Sequence, residues 1–220
     1  MPTPVTAYGR VRGGLGATDE RGVDMNESRE LLTAQGLPPY TEMSRLGNGW
    51  TLLSAAFTTV AAVPSTTAAQ EIFNNTAGPG AMTLVVADLF AFQLLSTAAA
   101  QTYGIWAQVT TQKAAPTNGA QTFFSVSGRQ SWASVAGGPL LTAAGTTVVA
   151  NGWRPFGSVQ AWGTAAATPG NAWNAPVDGK LIVPPGCSLC LTVAGSIATA
   201  SSFQVGVQFY MVPITASVLT

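Results

Sequence analysis

Two stretches near the C-terminus decide the fold: LIVPPGCSLCLTV, Leu181–Val193, and FQVGVQFYMVPI, Phe203–Ile214. In the second, Phe203, Val205, Val207, Phe209 and Met211 alternate with Gln204, Gly206, Gln208 and Tyr210. A period of two marks a β-strand with one face on a core. The first stretch repeats it, with Cys187, Leu189, Leu191 and Val193 on one side and Ser188, Cys190 and Thr192 on the other. Pro184-Pro185-Gly186 separates this run from Leu181-Ile182-Val183. The prolines fix φ and remove donors while Gly186 accepts positive φ, so a turn or a crossing between sheets is expected. A loop rich in Ala, Ser and Thr, Ala194–Ser202, joins the two runs into an antiparallel unit.

The same signals continue upstream. Trp50–Val63 holds one strand and part of another before Pro64, and Ala69–Asn75 leads to a turn at Gly78-Pro79-Gly80. Met82–Leu95 is apolar on both faces (Leu84, Val86, Leu89, Phe90, Phe92, Leu94), as expected of a buried strand. Tyr103, Ile105, Ala107 and Val109 alternate with Gly104, Trp106, Gln108 and Thr110. A loop, Lys113–Gly119, precedes a strand at Thr122–Val126, and further strands are expected at Leu140–Leu141 and Thr146–Val149. Trp153–Trp173 is laden with Gly, Ala, Asn and Pro and reads mostly as loop. About eight strands between Gly/Pro turns, with hardly any helix signal, predict an all-β fold, a two-sheet antiparallel sandwich or jelly roll.

Charge divides the chain. Only 8% of its 220 residues are charged and the net charge is zero. Such a chain has no electrostatic footprint for nucleic acid or an anionic membrane. Eleven of the 18 charged residues fall in the first 45 positions, beside Gly9, Gly13, Gly14, Gly16 and Gly22 and few large apolar residues. Residues 1–48 cannot build a core and are expected to form an extended N-terminal arm ordered against something else, with the β-domain over 49–220. Asp24 and Glu27 suit a capping box for a short helix reaching Ala34, and an extended course for Arg29–Gln35 is equally open. Leu37-Pro38-Pro39-Tyr40 is either a linker or a rigid docking peptide of low entropy cost.

Several classes are disfavoured. Met1-Pro2-Thr3-Pro4 shows no basic segment leading into an apolar run, so no secretory leader is expected. Trp50–Val63 is too short for a bilayer, and the run from Met82 is interrupted by Asp88. Cys187 and Cys190 point to opposite faces of one strand, which precludes easy bridging, and the chain offers no His or third Cys for a metal. The absence of His also removes the commonest general base. Beyond the arm the carboxylates are Glu71, Asp88 and Asp178. A two-carboxylate glycosidase site is possible only on paper. Asp178-Gly179 is read as a tight turn before Lys180, and Asp88 as a partner of Arg129 or Arg154. No catalytic residue, cofactor or metal is expected.

Trp132, Trp153, Trp162 and Trp173 stand in loop-like sequence. Exposed indoles of this kind can stack on sugar rings, with Asn151, Arg154, Asn171 and Asn174 near enough in sequence to bond hydroxyls. The competing reading is that they fill a subunit interface or cap the sandwich, and it is favoured.

The run Arg29-Glu30-Leu31-Leu32-Thr33-Ala34-Gln35-Gly36-Leu37-Pro38-Pro39-Tyr40-Thr41-Glu42, then Leu46-Gly47-Asn48-Gly49-Trp50, resembles the N-terminal region of small virion proteins of tailed bacteriophages. Thr66-Thr67-Ala68-Ala69-Gln70-Glu71-Ile72-Phe73-Asn74-Asn75 and Val183-Pro184-Pro185-Gly186 are similar to that group too. The resemblance implies a capsid cement or decoration protein: a β-sandwich, commonly trimeric, seated on the phage head, with no catalytic residues. Its expected partners are the major capsid protein and further copies of itself, and its place is the virion. Within the arm, Arg29, Leu37, Pro38, Pro39, Tyr40 and Arg45 are the candidate capsid contacts. A receptor- or carbohydrate-binding module of a head or tail fibre, using the loop tryptophans, is the alternative.

Overall fold

The computed structural model describes residues 8–10, 20–22, 41–59, 66–95, 101–111, 116, 119, 121–128, 130–133, 138–148, 150–162, 172–195 and 201–213. The chain divides into two units, Met1–Glu42 and Met43–Thr220. In the first, β1 (Tyr8–Arg10) pairs antiparallel with β2 (Glu20–Gly22). Arg29, the Asp24–Ala34 capping-box segment and Leu37-Pro38-Pro39-Tyr40 lie outside the described residues. A five-residue helix, α1 (Thr41–Arg45), spans the boundary.

The second unit is an antiparallel β-sandwich. In chain order its strands are β3 (Gly49–Leu53), β4 (Phe57–Thr58), β5 (Thr67–Ala68), β6 (Gln70–Asn74), β7 (Met82–Leu95) and β8 (Gln101–Thr111). Then come β9 (Thr122–Ser125), β10 (Ser131–Ala133), β11 (Leu140–Ala143), β12 (Thr146–Thr147) and β13 (Arg154–Trp162). The last are β14 (Ala172–Pro176), β15 (Ile182–Val183), β16 (Cys187–Gly195) and β17 (Ser202–Pro213).

One sheet runs β10-β9-β3-β17-β7-β14, with β15 also on β7 and β4 on β17. The other runs β11-β6-β16-β8-β13. Four nested pairs give the topology: β3 with β17, β6 with β16, β7 with β14, and β8 with β13. An antiparallel ribbon of four such pairs, rolled so that β17 meets β7 and β16 meets β8, is a jelly roll. Residues 112–153 add β9 and β10 beside β3, and β11 beside β6.

The alternation read from the sequence places the core. Phe203, Val205, Val207, Phe209 and Met211 from β17 meet Leu189, Leu191 and Val193 from β16, all buried in one cluster. Tyr103 packs on Phe203 with ring centroids 4.7 Å apart, and its hydroxyl shares a 2.6 Å hydrogen bond with Ser201. Asn74 ties the sheets together. Its amide donates to Met82 O at 2.8 Å and Val183 O at 2.9 Å, while its oxygen accepts from the Thr76 hydroxyl at 2.7 Å.

The turns take the expected chemistry. Asp178 (φ 51°) and Gly179 (φ 76°) both occupy the left-handed region, and Lys180 N–H closes the turn on Val177 O at 3.0 Å. At Pro184–Cys187 the Cys187 N–H bonds Pro184 O at 3.1 Å with Gly186 at φ 76°.

Two readings need correction. Arg154–Trp162 is a strand, not loop. Its period is reset at Gly157 (φ 70°), where the register on β8 shifts between Phe156 and Gln160. Such a bulge hides the alternation from a window that expects strict period two. Met82–Leu95 is a strand as expected, but it is not buried on both faces. The β17 register skips Ala87, after which Leu89 and Ala91 point inward and Phe90 and Phe92 outward, half-buried.

Candidate functional site

The carboxylates do not form one catalytic centre. Glu71 is fully buried on the outer side of the second sheet, where its carboxylate accepts a hydrogen bond from Ser188 Oγ. Asp88 is half-buried on the outer face of the first sheet, opposite Gln208 and Pro176. The fold does bring Asp178 beside the middle of β7, since its N–H bonds at 2.9 Å to the carbonyl oxygen of Ala87, the residue before Asp88, and its side chain is exposed. Among the described residues no group of three or more His, Cys, Asp or Glu could hold a metal. No described helix is long and apolar enough to cross a membrane.

The outer side of the second sheet is covered by the chain itself. Register aligns Glu71, Cys190 and Gln108 in one row across β6, β16 and β8. Ala68, Val148 and Trp153 pack over Cys190, with Trp106 at their margin. Burial therefore pushes the Cys190 thiol far up, and the neighbouring Glu71 carboxylate adds to the effect. Cys187 faces the other way, against the main core, and both thiols are free.

At the end of this row lies a cleft of about 410 Å³ lined by Gln108, Val109, Gly152, Arg154, Lys180, Leu181 and Ile182. It opens where β13 begins, because Arg154 pairs with Ala107 and leaves β8 without that neighbour from Gln108 onward. Gln108 is 1% exposed, and its Nε2 donates to no protein group. A buried amide donor left unsatisfied costs about 1–3 kcal/mol. A second, largely apolar cleft of about 390 Å³ lies near the end of α1, among Leu46, Trp50, Met82, Pro139 and Met211.

The outer face of the first sheet has a different character. Successive cross-strand rows read Gly49, Tyr210, Val85, Ile182; then Phe124, Thr51, Gln208, Asp88, Pro176; then Leu53, Gly206, Phe90, Asn174. Phe124 is 54% exposed, Ile182 51% and Leu53 38%. Asp88 is the single charge in these rows. The outward residues of β3, β7 and β9 were visible in the sequence as apolar side chains on the wrong phase. Only pairing shows that they share one face.

Of the four tryptophans, the two with described side chains, Trp153 and Trp173, do not form an exposed patch. Trp173 is 8% exposed, edge-on to Phe203 with centroids 5.6 Å apart, and Trp153 is 8% exposed under the cover of the second sheet. Trp132 lies on β10 and Trp162 ends β13, and their side chains are outside the described residues. Arg45 is exposed in the last turn of α1.

No protein-family model matches the chain. No curated protein matches it. Among solved structures it is similar to a chain from the structure of a marine algae virus of the order Picornavirales, with 13% identity over 99% of this chain and 93% of that one, at a TM-score of 0.23. It is also similar to a chain from a cryo-EM structure of Mud Crab Dicistrovirus, with 13% identity over 95% and 89%, at a TM-score of 0.21. Likeness at these TM-scores carries nothing further, and the functional reading below stands on this chain's own residues.

Proposed function

We propose that the chain is a structural virion protein that binds and stabilises a capsid lattice, a cement or decoration protein of a phage head. The observation that carries this reading is the broad, nearly uncharged outer face of the first sheet, with Phe124, Leu53 and Ile182 exposed around a single carboxylate. Lone soluble domains rarely leave such a face open, whereas subunits of assemblies cover it. The jelly roll is a frequent capsid architecture, though lectins and cupins share it. The sequence resemblance at residues 29–50 and 66–75 points the same way.

In this reading the arm supplies part of the attachment. Residues 1–48 hold most of the charge, and Leu37-Pro38-Pro39-Tyr40, flanked by Arg29 and Arg45, offers a stiff anchor. Several arms on one oligomer reinforce one another through effective concentration. The partners are the major capsid protein and other copies of the chain, most simply in a closed ring of three. The carbohydrate reading is weaker because Trp153 and Trp173 are enclosed by the chain's own side chains.

The test is co-sedimentation with shells assembled from the companion major capsid protein. The intact chain is expected to saturate shells and raise the temperature at which they rupture. Deletion of residues 1–45, and separately the pair Leu53→Glu and Phe124→Glu, should leave folded protein that no longer occupies them. Equal saturation by both altered forms would sink the proposal.

A further inference from the structure

We propose that the cleft between β8, β13 and β15 is a binding site for an amphiphilic carboxylate, an anionic head carried next to an apolar group. The strongest reason is where the scarce charge goes. Residues 49–220 contain four cations, Lys113, Arg129, Arg154 and Lys180, and two of them line this one cleft. Both are exposed, and neither forms an ion pair among the described residues. Asp178 sits two positions from Lys180 in the turn, yet no salt bridge joins them.

The second reason is independent of charge. Gln108 lines the same cleft, is 1% exposed, and keeps a buried Nε2 without a protein acceptor. Gly152 makes room for that amide, because a Cβ there would collide with Gln108 Oε1. Two donor groups, a guanidinium fork and an ammonium, thus border one space beside a Gln108 amide whose N–H lacks an acceptor, and the shared complement of these donors is an oxyanion.

The remaining walls choose the kind of oxyanion. Val109 is half-buried, Leu181 is 6% exposed and Ile182 is 51% exposed, so apolar surface adjoins the donors. Inorganic phosphate would leave that surface wet. A carboxylate with an attached alkyl or aliphatic side chain covers it. The carboxylate can be free, or it can belong to an acidic residue flanked by aliphatic ones on a neighbouring protein. The site adjoins the face invoked for lattice attachment, with Ile182 common to both, but its donors Arg154, Lys180 and Gln108 lie outside that face and it does not depend on that reading.

The experiment uses the full chain in low-salt buffer, titrated by NMR and calorimetry with acetate, hexanoate, inorganic phosphate and an acetylated Leu-Asp-Leu amide peptide. Hexanoate or the peptide is expected to bind in a saturable way and more tightly than acetate or phosphate. Preference for hexanoate identifies a free ligand, and preference for the peptide a protein-borne one. Arg154→Ala with Lys180→Ala should weaken binding at least tenfold, about the effect of losing one charge-assisted hydrogen bond. Gly152→Ala should weaken it by displacing Gln108, with the circular dichroism spectrum of each variant unchanged. The proposal is overturned if no probe saturates, if phosphate binds best, or if the double variant binds as the parent does. Should the double variant fail to fold, Gly152→Ala and Gln108→Leu decide by the same criterion.

Discussion

Gly206 offers a sharp test of the packing. It lies in β17, the centre of the first sheet, between Leu53 on β3 and Phe90 on β7. A methyl group at that position would run into the Phe90 ring and stand 2.9 Å from the Leu52 carbonyl oxygen. The ring can swing aside, but the carbonyl is fixed by the ladder. Overpacking of this kind costs about 1–3 kcal/mol. Replacing glycine also narrows the unfolded ensemble, which returns about 0.4–1 kcal/mol. The net loss for Gly206→Ala is therefore about 1–2 kcal/mol, a fall in Tm of about 2–8 °C for a chain of this size. Phe90→Ala removes the movable half of the clash, so the double variant should be more stable than the two single losses predict, by about 1 kcal/mol. Urea unfolding of the four proteins at one concentration measures this coupling. If the losses add to within about 0.5 kcal/mol, Phe90 does not cover Gly206 and the register across β3, β17 and β7 is wrong.

Further outcomes are expected at Asn74, at Cys190 and in the oligomeric state. Asn74→Asp, which keeps the shape but replaces the donors to Met82 O and Val183 O with an acceptor, should destabilise the fold by about 2–4 kcal/mol in chemical denaturation. Native protein should resist alkylation at Cys190, and neither chelator nor reductant should shift its Tm by several degrees. Because burial raises the Cys190 thiol pKa, the unfolded chain alone releases this proton as pH climbs past the ordinary thiol value of about 8.5, so stability falls above that pH and the fall should shrink in Cys190→Ala. Light scattering at micromolar concentration should give three times the chain mass, and a monomer mass would count against the closed ring.

Much of the β-domain was legible because its determinants are local. The period of β16 and β17, the span of Met82–Leu95 and the turns at Asp178-Gly179 and Pro184–Cys187 all follow from neighbours in sequence. The strand Arg154–Trp162 was missed because Gly157 breaks its phase. The skipped register at Ala87 likewise made one-sided burial look two-sided. The cleft could not be seen at all. Arg154 and Lys180 meet Gln108 only through the pairing of β8 with β13 and the position of β15, which are long-range facts. A partnership of Asp88 with Arg129 or Arg154 depends on long-range pairing in the same way. Arg129 lies outside the described residues, and Arg154 lines the cleft while Asp88 faces outward on the other sheet.

The central place of β17 also sets an order of events during synthesis. Leu53 pairs with Gly206 and Val85 with Tyr210, so strands translated early wait for one translated late. Until Ser202–Pro213 leaves the ribosome, β3 and β7 have open edges and the inward residues of both sheets face water. Ladders closed over such long sequence separations form slowly. A chain stopped before Ser202 would keep every strand of the second sheet but split the first into β10-β9-β3 and β7-β14, and the open edges of β3 and β7 would invite aggregation. Completion of β17 is thus the step that joins the two halves of the first sheet.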